Sequence, residues 1–305
     1  MQEILDRIVA KARGHARRGR PASYIPALSR ARRDLLGVSV FTLDGRTYHA
    51  GDHDRPFTMQ SISKVFCLAC VLKLRGDRAV FALVDREPSG DPFYSLVLLE
   101  YENGRPRNPM INAGAILITS LLPGRTSAAK FAHYMRFLEG VLPGKKLDID
   151  PRVYASEFET GQRNRALGCL MKHFGVLQSA TEDAVDAYFR QCSVRVTCDD
   201  LARMGLFLAG RGVDPITGRR VIAEGHCKTI NALMATCGLY DASGDFAHRV
   251  GLPGKSGVGG GILAIAPGKM SVAVYGPALD PKGSSVAGFE ALEMLSQELE
   301  LSLYL

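Results

Sequence analysis

The chain has 305 residues, 46% of them hydrophobic, and carries 38 Lys and Arg against 31 Asp and Glu, a formal charge of +7. That length admits one large domain or two smaller ones with a substantial core. No run approaches the roughly 18 uncharged apolar residues of a membrane span, and Met1-Gln2-Glu3-Ile4-Leu5-Asp6 lacks the basic then apolar order of a signal peptide, so no membrane association and a cytoplasmic location are expected. Much of the excess positive charge lies in Lys11 to Arg20 and Arg30 to Arg33, without aromatic interleaving or a nucleic-acid-binding signature. It reads as a solvated face, with no nucleic-acid partner. The seven cysteines are odd in number and scattered through apolar contexts, which argues against a disulfide framework.

In chain order, Gln2 to Arg18 and Ile25 to Leu35 read as amphipathic helices separated by Gly19, Pro21 and Pro26. Gly37 to Thr42 and Arg46 to Ala50 follow as two strands around an Asp44-Gly45 turn. From Ser61 to about Asp245 the pattern is mostly helical, around Val80 to Asp85, Ala113 to Leu122, Arg165 to Phe174, Thr181 to Cys192 and Asp199 to Leu208. Strand signals return at Lys255 to Val258, Gly261 to Ala266 and Met270 to Tyr275, before a final helix from about Ser285 to Leu301. Strands at both ends with short connections among the last three imply an α+β fold. Its antiparallel sheet is built from both termini and flanked by helices, with a helical insertion subdomain. The expected division of the single domain 1–305 is an α/β part, about 1–60 plus 245–305, and a helical part, about 61–244. A pocket is expected at their seam.

Ser61-Ile62-Ser63-Lys64 sets a hydroxyl and an amine one helical turn apart, so that the amine can take the hydroxyl's proton. The following Val65 to Leu72 is apolar all round, as in a core helix, and Cys67 and Cys70 there read as packing. A lysine starting such a helix is desolvated, and its neutral form can act as a base. A second copy of the spacing, Ser127-Ala128-Ala129-Lys130, opens an amphipathic stretch. There Ser127 reads as a helix cap and Lys130 as a solvated side chain. Gly254-Lys255-Ser256-Gly257-Val258 supplies glycines that let a backbone amide face a nucleophile, or let two chain segments cross closely. Lys255-Ser256-Gly257 resembles the Lys-Ser/Thr-Gly element that lines the site of penicillin-binding proteins and β-lactamases, which also carry Ser-x-x-Lys. Their third element, Ser-x-Asn, is absent from this chain, which argues against a β-lactam substrate.

Gln60 to Lys64, Arg107 to Ile116, Gly161-Gln162-Arg163-Asn164, Cys237 to Asp241 and Gly254 to Val258 together closely resemble the serine-dependent glutaminase family, from about Tyr24 to Asp280. The resemblance implies a serine β-lactamase/transpeptidase-like fold, L-glutamine as substrate, no metal or organic cofactor, and a homo-oligomer, dimer or tetramer. It implies that Ser61 is the acylated nucleophile and Lys64 its base. Tyr24, Gln60, Asn112, Glu157, Asn164, Tyr188, Tyr240 and Val258 then surround glutamine, with Lys255, Ser256 and Gly257 lining the site. Tyr240 or Tyr188 would relay the proton to ammonia, with the phenolate of a tyrosine near Lys64 and Lys255 stabilised by their charge. An amino-acid ammonium suits a carboxylate such as Glu157, and its carboxylate suits amide and hydroxyl donors. Read as residues alone, Asn108 and Asn112 also suit helix caps, Tyr188 core packing and Tyr240 a turn, while Glu157 and Glu159 compete for the inward position. Gln162 stands where many members of the family have Asp, a change expected to be local. No metal-ligand cluster stands out among the seven histidines. The other reading of the same residues is a β-lactamase-like or esterase-like acyl-serine hydrolase.

Overall fold

The computed structural model describes residues 1–90 and 92–304. Helix α1, Gln2–Ala12, buries Leu5, Ile8, Val9 and Ala12 on one face, and a 3-10 turn over Arg13–Arg18 continues it. The expected second helix does not form. Within Ile25 to Leu35 only Pro26–Leu28 makes a 3-10 turn. Too short to be stable without a docked face, that segment also crowds Arg30, Arg32 and Arg33 together. The basic stretches are partly paired rather than only solvated: Arg13 meets Asp52 at 2.6 Å and Arg18 meets Glu290 at 2.6 Å.

The Asp44-Gly45 pair forms its turn, with Gly45 at φ +83°, and strands β1 (Gly37–Thr42) and β2 (Thr47–Gly51) pair antiparallel around it. The short β3, Phe57–Thr58, leads through a 3-10 turn into α2, Ser63–Phe81, which is interrupted at Gly76 (φ +75°, ψ 165°). Every residue of α2 from Ser63 to Leu72 is buried. Then come α3 (Leu96–Tyr101), α4 (Asn112–Ser120), α5 (Ser127–Val141), α6 (Pro151–Thr160), α7 (Gln162–His173) and α8 (Thr181–Cys192). The two-residue β4, Arg195–Val196, precedes α9 (Cys198–Ala209), α10 (Glu224–Cys237) and α11 (Ser243–Arg249). The chain closes with β5 (Gly254–Ser256), β6 (Gly261–Ala266), β7 (Met270–Tyr275) and α12 (Val286–Glu298).

The five-stranded sheet has the order β2-β1-β7-β6-β5, and every pairing is antiparallel. The first hairpin therefore joins the last three strands through β1 and β7, as expected of a sheet assembled from both ends. Alternation along the strands divides the apolar side chains between two cores. Ile262, Ala264, Val272 and Val274 pack with α1 and α12, while Leu263, Ile265, Ala273 and Tyr275 pack with α2, α4, α8 and α9. Because both faces are covered, β6 and β7 read as continuous apolar runs. A separate ribbon pairs β3 with β4, and Met59 N donates to Val194 O at 2.9 Å, fixing the chain just before Ser61. The seven cysteines are free, Cys67 and Cys70 lie in the core, and burial pushes both thiols up from their ordinary range. Among the described residues no helix is long and apolar enough to cross a membrane.

Helix α9 lies close on the sheet because Gly205 faces it. A Cβ there would stand 2.5 Å from Ser271 Oγ and 2.7 Å from Leu263 Cδ1. Gly205→Val is expected to destabilise the protein by about 1–3 kcal/mol, read as a lower urea midpoint at unchanged m value.

Candidate active site

Ser61 sits in the 3-10 turn Gln60–Ile62 and Lys64 in the first turn of α2. Gln60 holds this turn with φ at +49°, a left-handed conformation that a non-glycine residue adopts at a cost, and Tyr240 does the same at +56°. Lys64 is 2% exposed. Its Nζ donates to Met110 O at 3.0 Å, Asn112 Oδ1 at 2.8 Å and Tyr240 Oη at 3.2 Å. The Tyr240 hydroxyl also interacts with Ser61, so it stands between that serine and the Lys64 amine. Burial pushes the Lys64 amine down to about 7, which leaves a large neutral fraction near neutrality.

Lys255 lies on β5 behind Tyr240, its Nζ 4.1 Å from the ring centroid, and donates to Gly238 O at 2.7 Å and Ser256 O at 2.6 Å. Burial, with Lys64 beside it, holds Lys255 well below its ordinary value. The expectation that the two lysines stabilise a Tyr240 phenolate is thereby corrected. Amines lowered by burial offer less than their usual charge, and burial instead pushes the phenols of Tyr240 and Tyr188 up. Tyr240 is therefore a neutral donor and acceptor between Ser61 and Lys64.

A cavity of about 360 Å³ opens above Ser61. Tyr24, Gln60, Asn112, Glu157, Asn164, Tyr188 and Val258 line it together with Ser61, whereas Lys64, Tyr240 and Lys255 form the layer behind. Asp150 caps α6 through bonds from the Arg152 and Val153 amides, and from that start the helix turns Val153 and Glu157 inward. Glu159 is exposed, which decides between the two glutamates. Burial pushes Glu157 up to about 7, against the pull of nearby Gln60 and of the Lys64 charge. Such a carboxylate lacks a full counter-charge, which a ligand ammonium would supply.

The two asparagines separate in the same way. Asn108 Oδ1 accepts from the Met110 and Ile111 amides at 2.9 and 3.1 Å, so it shapes the turn before α4. Asn112 caps nothing. Its Oδ1 accepts from Lys64 and, at 3.3 Å, from the Tyr188 hydroxyl, while its Nδ2 donates to Asn164 Oδ1 at 2.9 Å. Gln162 is exposed in the first turn of α7, away from the cavity lining. Phe93, Tyr94 and Cys192, which the sequence did not single out, also line the cavity, as does Arg163 of the Gly161 to Asn164 motif. Phe93 packs against Tyr240 with centroids 4.6 Å apart, and the Arg163 guanidinium lies 4.5 Å from the Tyr94 centroid. Two adjacent aromatics in a loop rich in Pro and Gly were the available signal.

The glycines after β5 set the remaining wall. A Cβ on Gly257 would stand 2.7 Å from Met59 O, and one on Gly259 would stand 2.5 Å from Thr58 O. The segment therefore presses directly on the turn that carries Ser61. Among the described residues, neither the Ser61 nor the Val258 backbone amide donates to another backbone carbonyl.

The sequence profile of the Glutaminase family matches residues 19–304. This chain belongs to the glutaminase family. It is 47% identical over 305 residues, the whole of both chains, to glutaminases of Clostridium tetani (strain Massachusetts / E88) and Alkaliphilus oremlandii (strain OhILAs). Among solved structures it resembles the Bacillus subtilis glutaminase in its covalent complex with 5-oxo-L-norleucine, formed by reaction with 6-diazo-5-oxo-L-norleucine. The TM-score there is 0.91 at 40% identity, covering 99% of each chain. It also resembles Mglu in its glutamate form, with a TM-score of 0.94 at 37% identity over 99% of this chain and 69% of that one. The fold class shared with these glutaminase-family structures is the serine β-lactamase-like one.

Two expectations are corrected outside the cavity. Lys130 of the second Ser-x-x-Lys copy is not solvated. It is 3% exposed, and its Nζ donates to Ser120 O at 2.7 Å and Leu122 O at 3.0 Å, satisfying carbonyls at the end of α4. Thr126, not Ser127, caps α5, accepting from Ala129 N. The histidines also hold a cluster that spacing along the chain does not reveal: His49 and His53 meet around Asp199.

Gly257→Ala pushes the β5 turn away from Met59 and Ser61. Turnover is expected to fall at least tenfold in kcat, with a lowered melting temperature because the added Cβ meets backbone, both checked by steady-state kinetics beside calorimetry at a temperature where the variant is folded.

Proposed function

We propose that the protein hydrolyses the side-chain amide of L-glutamine to L-glutamate and ammonia through an acyl-enzyme on Ser61. The observation that carries this reading is the grouping of Ser61, Tyr240 and Lys64, with Lys64 Nζ donating to Tyr240 Oη, at the base of a cavity that also holds the under-neutralised Glu157. Glu157 receives the substrate ammonium, and Asn112, Asn164 and tyrosine hydroxyls face its carboxylate. The Ser61 oxygen attacks the side-chain amide carbon as its proton passes toward neutral Lys64, directly or through Tyr240. The Ser61 and Val258 amides hold the oxyanion, a contribution of roughly 3 kcal/mol per donor in comparable sites. Tyr240 or Tyr188 hands a proton to the nitrogen as ammonia leaves, and water then cleaves the ester while the same base accepts its proton. These steps use side chains and backbone amides alone, without a metal or organic cofactor. The covalent complex of the Bacillus subtilis relative with a glutamine-like diazoketone product supports a nucleophile at the end of such a cavity. Family resemblance also supports a homo-oligomer, dimer or tetramer, and a cytoplasmic location.

Ser61→Ala is expected to lower ammonia release from glutamine by several orders of magnitude with the fold intact, whereas Ser127→Ala leaves it unchanged. Asparagine, one methylene shorter, should be turned over far more slowly. An asparagine rate equal to that for glutamine would refute the substrate assignment.

Lys64 must be neutral and Glu157 charged, and burial holds each at about 7. A proton gained by either group removes a required state, so kcat/KM falls as pH drops through about 7 and levels off above it. In Glu157→Gln the expected change is a KM raised at least tenfold, with the acid limb retained because Lys64 still titrates. A pH–rate profile flat through that region would show that neither protonation matters.

A further inference from the structure

A second group of chemical side chains lies at the edge of the sheet opposite β5. His49 on β2 stands opposite Ser39 of β1, His53 follows the turn at Gly51 (φ +66°), and Asp199 lies in the first turn of α9. His49 Nδ1 is 2.8 Å from Asp199 Oδ1, and His53 Nδ1 is 3.0 Å from both carboxylate oxygens. The two imidazoles stack with centroids 4.8 Å apart and planes 20° from parallel. None of the three lines the catalytic cavity.

We propose that His49, His53 and Asp199 form a binding site for a divalent transition cation of the Zn²⁺ type. Two imidazole nitrogens and one carboxylate are the donors that such borderline cations select, and a single donor atom from each residue lies within 4.8 Å of the other two. Bonds of about 2.0–2.1 Å set adjacent donors about 3.0–3.4 Å apart, so the nitrogen to oxygen separations need to open by only a few tenths of an ångström. The arrangement is held by neighbours that bind no cation themselves. The Ser39 hydroxyl, fully buried, donates to Asp199 Oδ1 and orients the carboxylate. Cys198 N donates to His53 O at 3.0 Å and Cys198 Sγ to Gly37 O at 3.6 Å, which clamps the start of α9 to β1 and to the His53 loop. Capping of α9 is done by Thr197 and Asp200, leaving the Asp199 carboxylate to face the imidazoles. The three side chains are 29–33% exposed, enough for an ion to arrive and to keep water as its remaining ligand. The cation would cross-link an edge strand, the loop after it and a core helix, outside the cavity that Ser61 lines.

The test uses the full chain after dialysis against EDTA, titrated with ZnCl2 and with MgCl2 as the hard-cation control, by calorimetry and thermal melting. The expected result is one Zn²⁺ per chain at micromolar affinity, a raised melting temperature with Zn²⁺ only, and unchanged glutamine turnover. His49→Gln and Asp199→Asn should each weaken Zn²⁺ binding by about a hundredfold, and Ser39→Ala by about tenfold. Co²⁺ bound to the unaltered protein should give d–d bands with no thiolate charge-transfer band, a readout that does not depend on any variant folding. The proposal is overturned by no Zn²⁺ uptake up to about 1 mM, by a thiolate band, which would put the ion on cysteine, or by undiminished binding in a His49→Gln/His53→Gln double variant.

Discussion

The burial of Lys64 is the constraint on which the rest of the site depends. An amine at the start of a helix whose next two turns are wholly apolar cannot keep its usual charge, and the three acceptors around it are two neutral oxygens of the α4 turn and a phenol. A carboxylate partner there would have restored the ammonium form. Glu157 is near enough to influence Lys64 electrostatically, yet it faces the cavity and is itself held toward the neutral form by burial.

Maintaining that environment requires the backbone to come together unusually closely. The β5 turn presses on the Ser61 turn through Gly257 and Gly259. Gly238 lets α10 end against β5, since a Cβ there would stand 1.8 Å from Gly254 O. Gly114 does the same for α4, where a Cβ would stand 2.0 Å from Asn108 O. These contacts bring the neutral acceptors to Lys64 and Lys255 without a charged side chain. The left-handed Gln60 and Tyr240 are strained at the two points where this packing converges.

Elements whose pattern is local were legible. The Asp44-Gly45 hairpin, β6, β7 and the helix Thr181–Cys192 fall where turn chemistry and periodicity put them. Ile25 to Leu35 has helical spacing but no face to dock, so it does not become a helix. Lys130 looked solvated because its neighbours in sequence are polar or small, while the carbonyls it satisfies belong to another helix. The phenol of Tyr240 differs for a related reason: its own burial outweighs proximity to two lysines whose charge burial has reduced. His49 and His53 are separated by more than a hundred residues from Asp199, and only the clamp between α9 and the first hairpin joins them.

The order of motifs along the chain by itself determined the family, the Ser-x-x-Lys spacing at Ser61 and the sheet assembled from both ends, because each is written in short segments whose chemistry acts locally. Tertiary structure alone decided which of two Ser-x-x-Lys copies opens onto a cavity and which of Glu157 and Glu159 faces inward. It also decided that Asn112 serves the site while Asn108 serves the turn. Those outcomes depend on desolvation and on partners distant in sequence, and neither is a property of any residue taken with its immediate neighbours.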